Sequence, residues 1–265
     1  MNMKNFDAKT YWEERLEKEY SLRGVGDIGL TLTYNKYLYK VRSAAFDRSY
    51  KSMGLSPAAR VFDVGSGTGF YIGKWLEFCR FVSGSDLTET AVHKLRNLYP
   101  SMNFIQLDIG KELPAELAEQ QYDAISAIDM LFHIVDDAAY KCAISNFSKL
   151  LKPGGMLLFS DNLLPFDEKR IEHQVSRSEK FVTESLEAEG FEFIGCNPMF
   201  VMMNDPVRSN SRTLRKLFAI IYNLARRGKG ISSIAGMVLY PLERLLISKL
   251  SRGPSTEFFI WKKRS

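Results

Sequence analysis

The chain has 265 residues, with 45% apolar and 25% charged side chains and a net charge of +5. That is ordinary for a globular protein and long enough for one sizeable core with an appendage. Three widely spaced cysteines (Cys79, Cys142 and Cys196) fit buried thiols in a reducing compartment better than a disulfide frame or a zinc site. The polar start, Met1–Glu14, shows no secretory h-region, and no window approaches the ~20 apolar residues that span a bilayer, so the expected location is cytoplasmic, or peripheral to the membrane through the basic stretch at 205–253.

In chain order, residues 7–20 and 34–53 read as N-terminal helices, joined by the glycine-containing stretch LRGVGDIG at 22–29. The stretch VFDVGSGTGF at 61–70 follows. Its first four residues suit a buried strand, Gly65, Gly67 and Gly69 make a tight turn, and 70–78 reads as a helix. Bare backbone at such a turn lets a nucleotide-like ligand approach closely. The third glycine comes one residue too early for the dinucleotide pattern G-x-G-x-x-G. A second strand, FVSGSDL at 81–87, ends in Asp86, whose carboxylate suits a ribose diol. A third, FIQLDI at 104–109, ends in Asp108, and a fourth, YDAISAID at 122–129, ends in Asp129. Residues 150–161, LLKPGGMLLFSD, read as a helix end, a Pro-Gly-Gly turn and a fifth strand. Residues 191–196 and 200–203 supply a sixth, and TEFFIW at 256–261 a last. This alternation predicts an α/β, doubly wound parallel sheet.

The GxGxG turn with Asp63 inside the strand resembles motif I of the class I S-adenosylmethionine (SAM) methyltransferases. The acids at 86 and 108 and the LKPGG string follow in that family's order. The resemblance covers roughly residues 40–204 and the last strand. It implies a Rossmann-like sheet of seven strands, mostly parallel, with the last strand antiparallel. It implies SAM as cofactor, held by Asp63, Gly65, Ser66, Gly67, Gly69, Asp86, Leu87, Asp108, Ile109 and Ile128, with Asp108 meeting the adenine amino group and the next residue packing on the ring. The domains would be an N-terminal helical cap (1–54), the SAM-binding core (55–204), a basic helical insertion (205–253) and the final core strand (254–265).

The insertion departs from the family's short hairpin. It holds ten basic and two acidic residues, a surplus of eight, so with +5 overall the remainder is −3. Leu214, Leu217, Phe218, Ile221 and Leu224 fall on one helical face. Pro241 opens or interrupts a second helix bearing Leu242, Leu245, Leu246 and Leu250. The insertion reads either as a solvated cap or as a lid recruiting an anionic or membrane-associated substrate. A nucleic-acid partner ranks lowest, because interleaved aromatics for stacking are lacking.

Methyl transfer asks for alignment, exclusion of water and, for some acceptors, a base. Candidates past the strand ends are His133, His173 and Asp129, with His133 favoured because imidazole titrates near neutral pH. Asp129, Asp161 and Asn162 resemble the metal set of catechol-type enzymes, against a simple Asx turn, so the metal is left open. The tetrapeptide after the fourth strand, DMLF, differs from the [DN]-P-P-[YF] of base-amino methylation, and no cysteine stands there for carbon methylation. A hydroxyl of a small molecule or a glycan- or lipid-linked sugar is the expected acceptor. Tyr11, Trp12, Arg23, Tyr34, Tyr37 and Tyr39 would shape its pocket, or else pack on the sheet edge. The rivals are a non-catalytic SAM-binding module on the same fold and a nicotinamide enzyme.

Overall fold

The computed structural model describes residues 6–171 and 173–265. The first five residues of the polar N-terminal segment read above lie outside them. The chain divides into two compact units.

The first unit comprises the segment ending at Glu14, Met53–Gly195 and Phe259–Ser265. Its sheet is formed by β1 (Arg60–Val64), β2 (Phe81–Asp86), β3 (Phe104–Gln106), β4 (Tyr122–Ala127), β5 (Leu151–Asp161), β8 (Phe191–Pro198) and β9 (Glu257–Lys263). A hairpin of β6 (Lys169–Ile171) and β7 (Gln174–Ser176) stands apart from it. The order is β3-β2-β1-β4-β5-β9-β8, mostly parallel with one antiparallel strand, as expected for the Rossmann-like class. The helices of this unit are α1 (Ala8–Lys18, as far as Glu14), α3 (Phe70–Leu76), α4 (Glu89–Leu98), α5 (Ala115–Ala118), α6 (Asp137–Leu150) and α7 (Glu179–Ala188).

Central β1 buries Val61, Phe62, Asp63 and Val64, as a strand covered on both faces must. It pairs with β2 on one side and β4 on the other. The strand order therefore reverses at its carboxyl end, where ligands bind in open α/β sheets.

Three sequence expectations are corrected here. Asp108 lies just beyond β3 rather than in it, because the pairing with β2 ends at Asp86–Gln106. Pro153, Gly154 and Gly155 form a bulge within β5, not a separate turn. Pairing with β4 jumps from Tyr122–Leu151 to Ala124–Met156, and Gly154 takes φ 76° to make the detour. Residues 200–203 are not strand. The Phe200 N–H donates to the Thr256 carbonyl, and those of residues 201–203 turn to a side chain, as described below. The segment around His173 is the β6–β7 hairpin, whose three-residue strands are too short to carry a periodic signal.

The second unit comprises Arg15–Ser52 and Cys196–Phe258 and is built on α2 (Leu32–Met53), α8 (Arg212–Arg226) and α9 (Lys229–Lys249). α9 comes so close to α2 that a Cβ on Gly236 would lie 2.2 Å from Tyr37 Cδ2. Thr31 Oγ1 donates to Ser232 Oγ at 2.8 Å, and the Arg48 guanidinium donates to the Ile247 and Leu250 carbonyls at the end of α9. Buried Glu243 accepts from the N–H groups of Val201 (2.6 Å), Met202 (2.9 Å) and Met203 (3.4 Å). Those groups are thereby satisfied without a neighbouring strand. Pro241 neither opens nor interrupts a helix; it lies inside the continuous α9. α9 is also long and apolar enough, by length and composition, to cross a membrane, contrary to the reading of the sequence.

Candidate active site

The carboxyl ends of β1 to β5 gather the expected residues on one edge of the sheet. Gly65, Gly67 and Gly69 have φ of 76°, 52° and 82°, the left-handed region that favours glycine. The turn is fixed by its backbone: Gly65 and Ser66 N–H donate to the Ser85 carbonyl at 2.9 Å each, and Gly69 N–H to Ser66 O at 2.8 Å. A Cβ on Gly65 would meet the Met130 side chain at 3.0 Å, so the loop after β4 closes directly over the turn.

Asp63 and Asp86 flank this cradle, both buried. Asp86 Oδ2 accepts from Gly67 N–H at 2.8 Å. Its Oδ1 accepts from Thr88 N–H at 2.9 Å and Thr88 Oγ1 at 2.7 Å. Burial raises its pKa, and these hydrogen bonds oppose the rise. Asp63 Oδ1 accepts a short hydrogen bond from Ser126, whose Oγ in turn accepts from the Trp75 indole N–H at 2.8 Å. Among the described residues, Asp63 Oδ2 is buried with no hydrogen-bond partner. Burial pushes this carboxyl up to about 7, against the pull of Ser126 and Ser66. A buried carboxylate oxygen lacking a donor beside a bare glycine cradle suits a ligand that brings a cationic donor of its own.

The remaining cofactor-side candidates line the same edge. Leu87 follows Asp86 and is half-buried, with its carbonyl accepting from Gln106 Nε2 at 3.0 Å. Half-buried Asp108 accepts from Gly110 N–H at 3.1 Å, and Ile109 is buried, its carbonyl held by Asn146 Nδ2 at 2.9 Å. Ile128 is buried at the end of β4.

On the acceptor side, a 3₁₀ turn (Leu131–His133) carries His133. Its Nδ1 lies 2.9 Å from the His173 carbonyl oxygen, and the two rings stack at 6.0 Å. A carbonyl only accepts, so Nδ1 carries the proton, and in the neutral ring Nε2 carries the lone pair. Trp12 meets His133 edge-on at 4.9 Å, Tyr11 stacks on His173 at 5.6 Å, and Phe132 lies 4.5 Å from His133. Next to Trp12 in sequence, Glu13 accepts from the N–H groups of Glu89 and Thr90 at 2.8 Å each, at the start of α4. Burial pushes Glu13 up, but those hydrogen bonds outweigh it and hold its pKa low. Consecutive residues of α1 thus reach both the His133 wall and the helix that follows Asp86. Arg23, Tyr34, Tyr37 and Tyr39 belong to the other unit, where Tyr34 and Tyr39 are buried.

Asp129 has φ 56°, uncommon for a non-glycine residue. Its N–H donates to Ser160 Oγ at 2.8 Å, and its Oδ1 accepts from Ser160 at 2.9 Å, tying the loop to β5. Asp161 Oδ1 accepts from the N–H of the next residue, Asn162, at 2.6 Å, one residue short of the span of an Asx turn. Among the described residues, no three His, Cys, Asp or Glu side chains are grouped to hold a metal.

No local signal marks the clamp beneath His133. Arg177, fully buried, donates to Asp137 Oδ1 (3.0 and 2.8 Å) and to the Ile134 carbonyl (2.8 Å), with its guanidinium 4.0 Å from the Tyr140 ring centre. Arg170 donates to Asp137 Oδ2 at 2.5 Å and to the Val135 carbonyl at 3.0 Å. Burial pushes Asp137 up, and the two arginines override it and hold its pKa low. The hairpin of β6 and β7 thus grips the loop that carries His133.

Strand order and site define the class: a Rossmann-like α/β fold with the cradle and acids of the class I methyltransferases. The comparisons agree. Residues 61–155 match the family described as a methyltransferase domain. Residues 61–155 thus form a methyltransferase domain, on the fold of the class I SAM-dependent enzymes. The ubiquinone biosynthesis O-methyltransferase of Alkalilimnicola ehrlichii is 28% identical over 127 residues, 47% of this chain and 50% of that protein. The chain thus spans about half the length of the curated relatives it matches. A SAM-dependent methyltransferase from Clostridium acetobutylicum shares the fold with a TM-score of 0.55 at 13% identity, covering 86% of this chain and 92% of that one. The cyclase SpnF does so with a TM-score of 0.53 at 18% identity, covering 82% and 79%.

Proposed function

We propose that this chain transfers the methyl group of SAM to a hydroxyl of a small molecule or of a glycan- or lipid-linked sugar. The observation that carries the acceptor assignment is the hydrogen bond from His133 Nδ1 to the His173 carbonyl. It orients the ring and leaves the basic lone pair on Nε2, the group a hydroxyl acceptor needs and an already nucleophilic acceptor does not. The relative named as an O-methyltransferase supports the same reading.

When bound, SAM supplies an already activated methyl on a sulfonium. Asp63, the Gly65–Gly69 turn and Asp86 are the residues to hold it. By the resemblance, Asp108 and Ile109 would make the adenine contacts. The chain's own work is to take the hydroxyl proton at His133 Nε2, to hold His133 through the His173 carbonyl, and to exclude water with Trp12, Tyr11 and Phe132. Asp129 and Ser160 pin the loop between cradle and base. Aromatic faces also favour a neighbouring cation.

A fold shared with a cyclase does not fix a reaction, so a SAM-binding protein without methyl transfer is the alternative. The test is release of S-adenosylhomocysteine from purified protein with SAM and a panel of hydroxyl, carboxyl and amine acceptors. Turnover confined to hydroxyl acceptors, and lost in His133→Ala, is expected. SAM binding with no turnover on any acceptor would favour the alternative.

A further inference from the structure

In the second unit, α9 buries one face and bares the other. Ser232, Gly236, Glu243 and Ile247 are buried. On the opposite side Ile231, Ile234, Val238, Leu242 and Leu245 are 47, 63, 66, 43 and 55% exposed. Their spacing of three or four residues makes one stripe, about 21 Å long at 1.5 Å per residue. Leu217, Ile220 and Leu224 repeat the pattern on α8, all exposed. An apolar surface of this extent is uncommon on a protein that meets only water.

The charges are equally one-sided. Between Arg212 and Leu250 the sequence has eight cations: Arg212, Arg215, Lys216, Arg226, Arg227, Lys229, Arg244 and Lys249. All eight are exposed. The one carboxylate in that stretch, Glu243, is buried and bonded to backbone N–H groups, so the hairpin shows no negative side chain to solvent. From Gly230 to Leu242 no residue is charged, and cations flank both ends of the stripe.

We infer that the α8–α9 hairpin docks on an anionic lipid bilayer, with the aliphatic stripe seated at the headgroup–acyl boundary and the arginines and lysines on lipid phosphates. Charge selects this occupant. A second copy would bring eight cations against eight cations, which like-charge repulsion opposes. A nucleic acid would find aliphatic side chains on which no base stacks. The helix lies on the membrane rather than crossing it. Crossing would strip Glu243 from its three N–H donors and Gly236 and Ser232 from their contacts with Tyr37 and Thr31. The inference is independent of methyl transfer, and its failure leaves that reading untouched.

The experiment is co-sedimentation of the full chain with phosphatidylcholine vesicles, with and without phosphatidylglycerol, at low and high salt. The expected result is association with the anionic vesicles that weakens as salt rises. Ile234→Ser with Val238→Ser should weaken it about tenfold through lost apolar burial. Arg226→Glu with Arg227→Glu should weaken it comparably and flatten its salt dependence. All four positions are exposed, so an unchanged thermal midpoint checks folding. No association with anionic vesicles at low salt overturns the inference. Equal association with neutral vesicles, or association indifferent to both pairs, overturns it too. A concentration-dependent dimer that the serine pair dissolves, without vesicle binding, replaces lipid with a second copy.

Discussion

The turn at residues 65–69 and the loop at residues 129–137 lie at the same edge of one sheet but are made of different material. The turn is backbone: three left-handed glycines and N–H groups spoken for by Ser85, Ser66 and Asp86. The loop is side chain: an imidazole set by a carbonyl, aromatic rings and two arginines on one carboxylate. A site of bare backbone serves a ligand that does not change, and any Cβ spoils it. A site of side chains can be refitted to a new acceptor while the cradle stays as it is. Substitutions in the loop should therefore cost turnover, and substitutions in the turn should cost cofactor affinity.

The sharpest separation comes from His133→Ala. Loss of a general base lowers kcat by roughly 10²–10⁴-fold. The affinity for SAM, measured by calorimetry, should stay as it was, because the cradle is built without this ring. A parallel loss of SAM affinity would mean that the two regions are one. The converse is Gly65→Val. Forcing a side chain into φ 76° and onto Met130 costs the bound conformation a few kcal/mol, of which the backbone alone supplies about 1–2. SAM affinity should fall about 100-fold.

Arg177→Met tests whether the loop is held from below. The Ile134 carbonyl and Asp137 lose their buried donor, although Arg170 keeps its hold on Asp137. A modest drop in thermal midpoint is expected, with kcat falling about tenfold as His133 loses its alignment and SAM affinity unchanged. A drop in midpoint alone would make the clamp purely structural.

The two regions were unequally legible for the same reason that they are unequally built. Glycine has few substitutes at positive φ, so a backbone cradle leaves its mark in sequence, and Gly65, Gly67 and Gly69 stood out with the acids that follow. His133, Trp12 and Tyr11 could be suspected from position, but their meeting depends on a hairpin of three-residue strands that carries no periodicity. Arg177 and Arg170 were missed because their shared partner, Asp137, lies 40 and 33 residues away. Nothing local marks an arginine as buried. Residues 200–203 looked like strand for want of any sign that a glutamate 40 residues beyond Met203 would take the N–H groups of Val201, Met202 and Met203. Of the bare face of α9 only Leu242 and Leu245 were read as part of an apolar stripe, because packing against α2 decides which residues of the helix face outward.

The smallest effect belongs to Asp63, which serves the cradle as a side chain. Its folded pKa, about 7, lies above the ordinary 3.8 because burial disfavours its charge. The folded protein therefore holds this proton to higher pH than the unfolded chain does. Its contribution to stability is full below the unfolded value, is lost as pH rises from about 4 to 7, and is flat beyond. Cofactor binding should run the opposite way. An ammonium donor reaching Oδ2 favours the ionised carboxylate, so SAM affinity should rise by about threefold in all as pH approaches about 7 and then level off. Asp63→Asn keeps the shape and removes the titration, so it should flatten both profiles. A SAM affinity that ignores pH in the natural chain would leave the orphan oxygen a packing accident. A slope that survives in Asp63→Asn would hand the proton to another group.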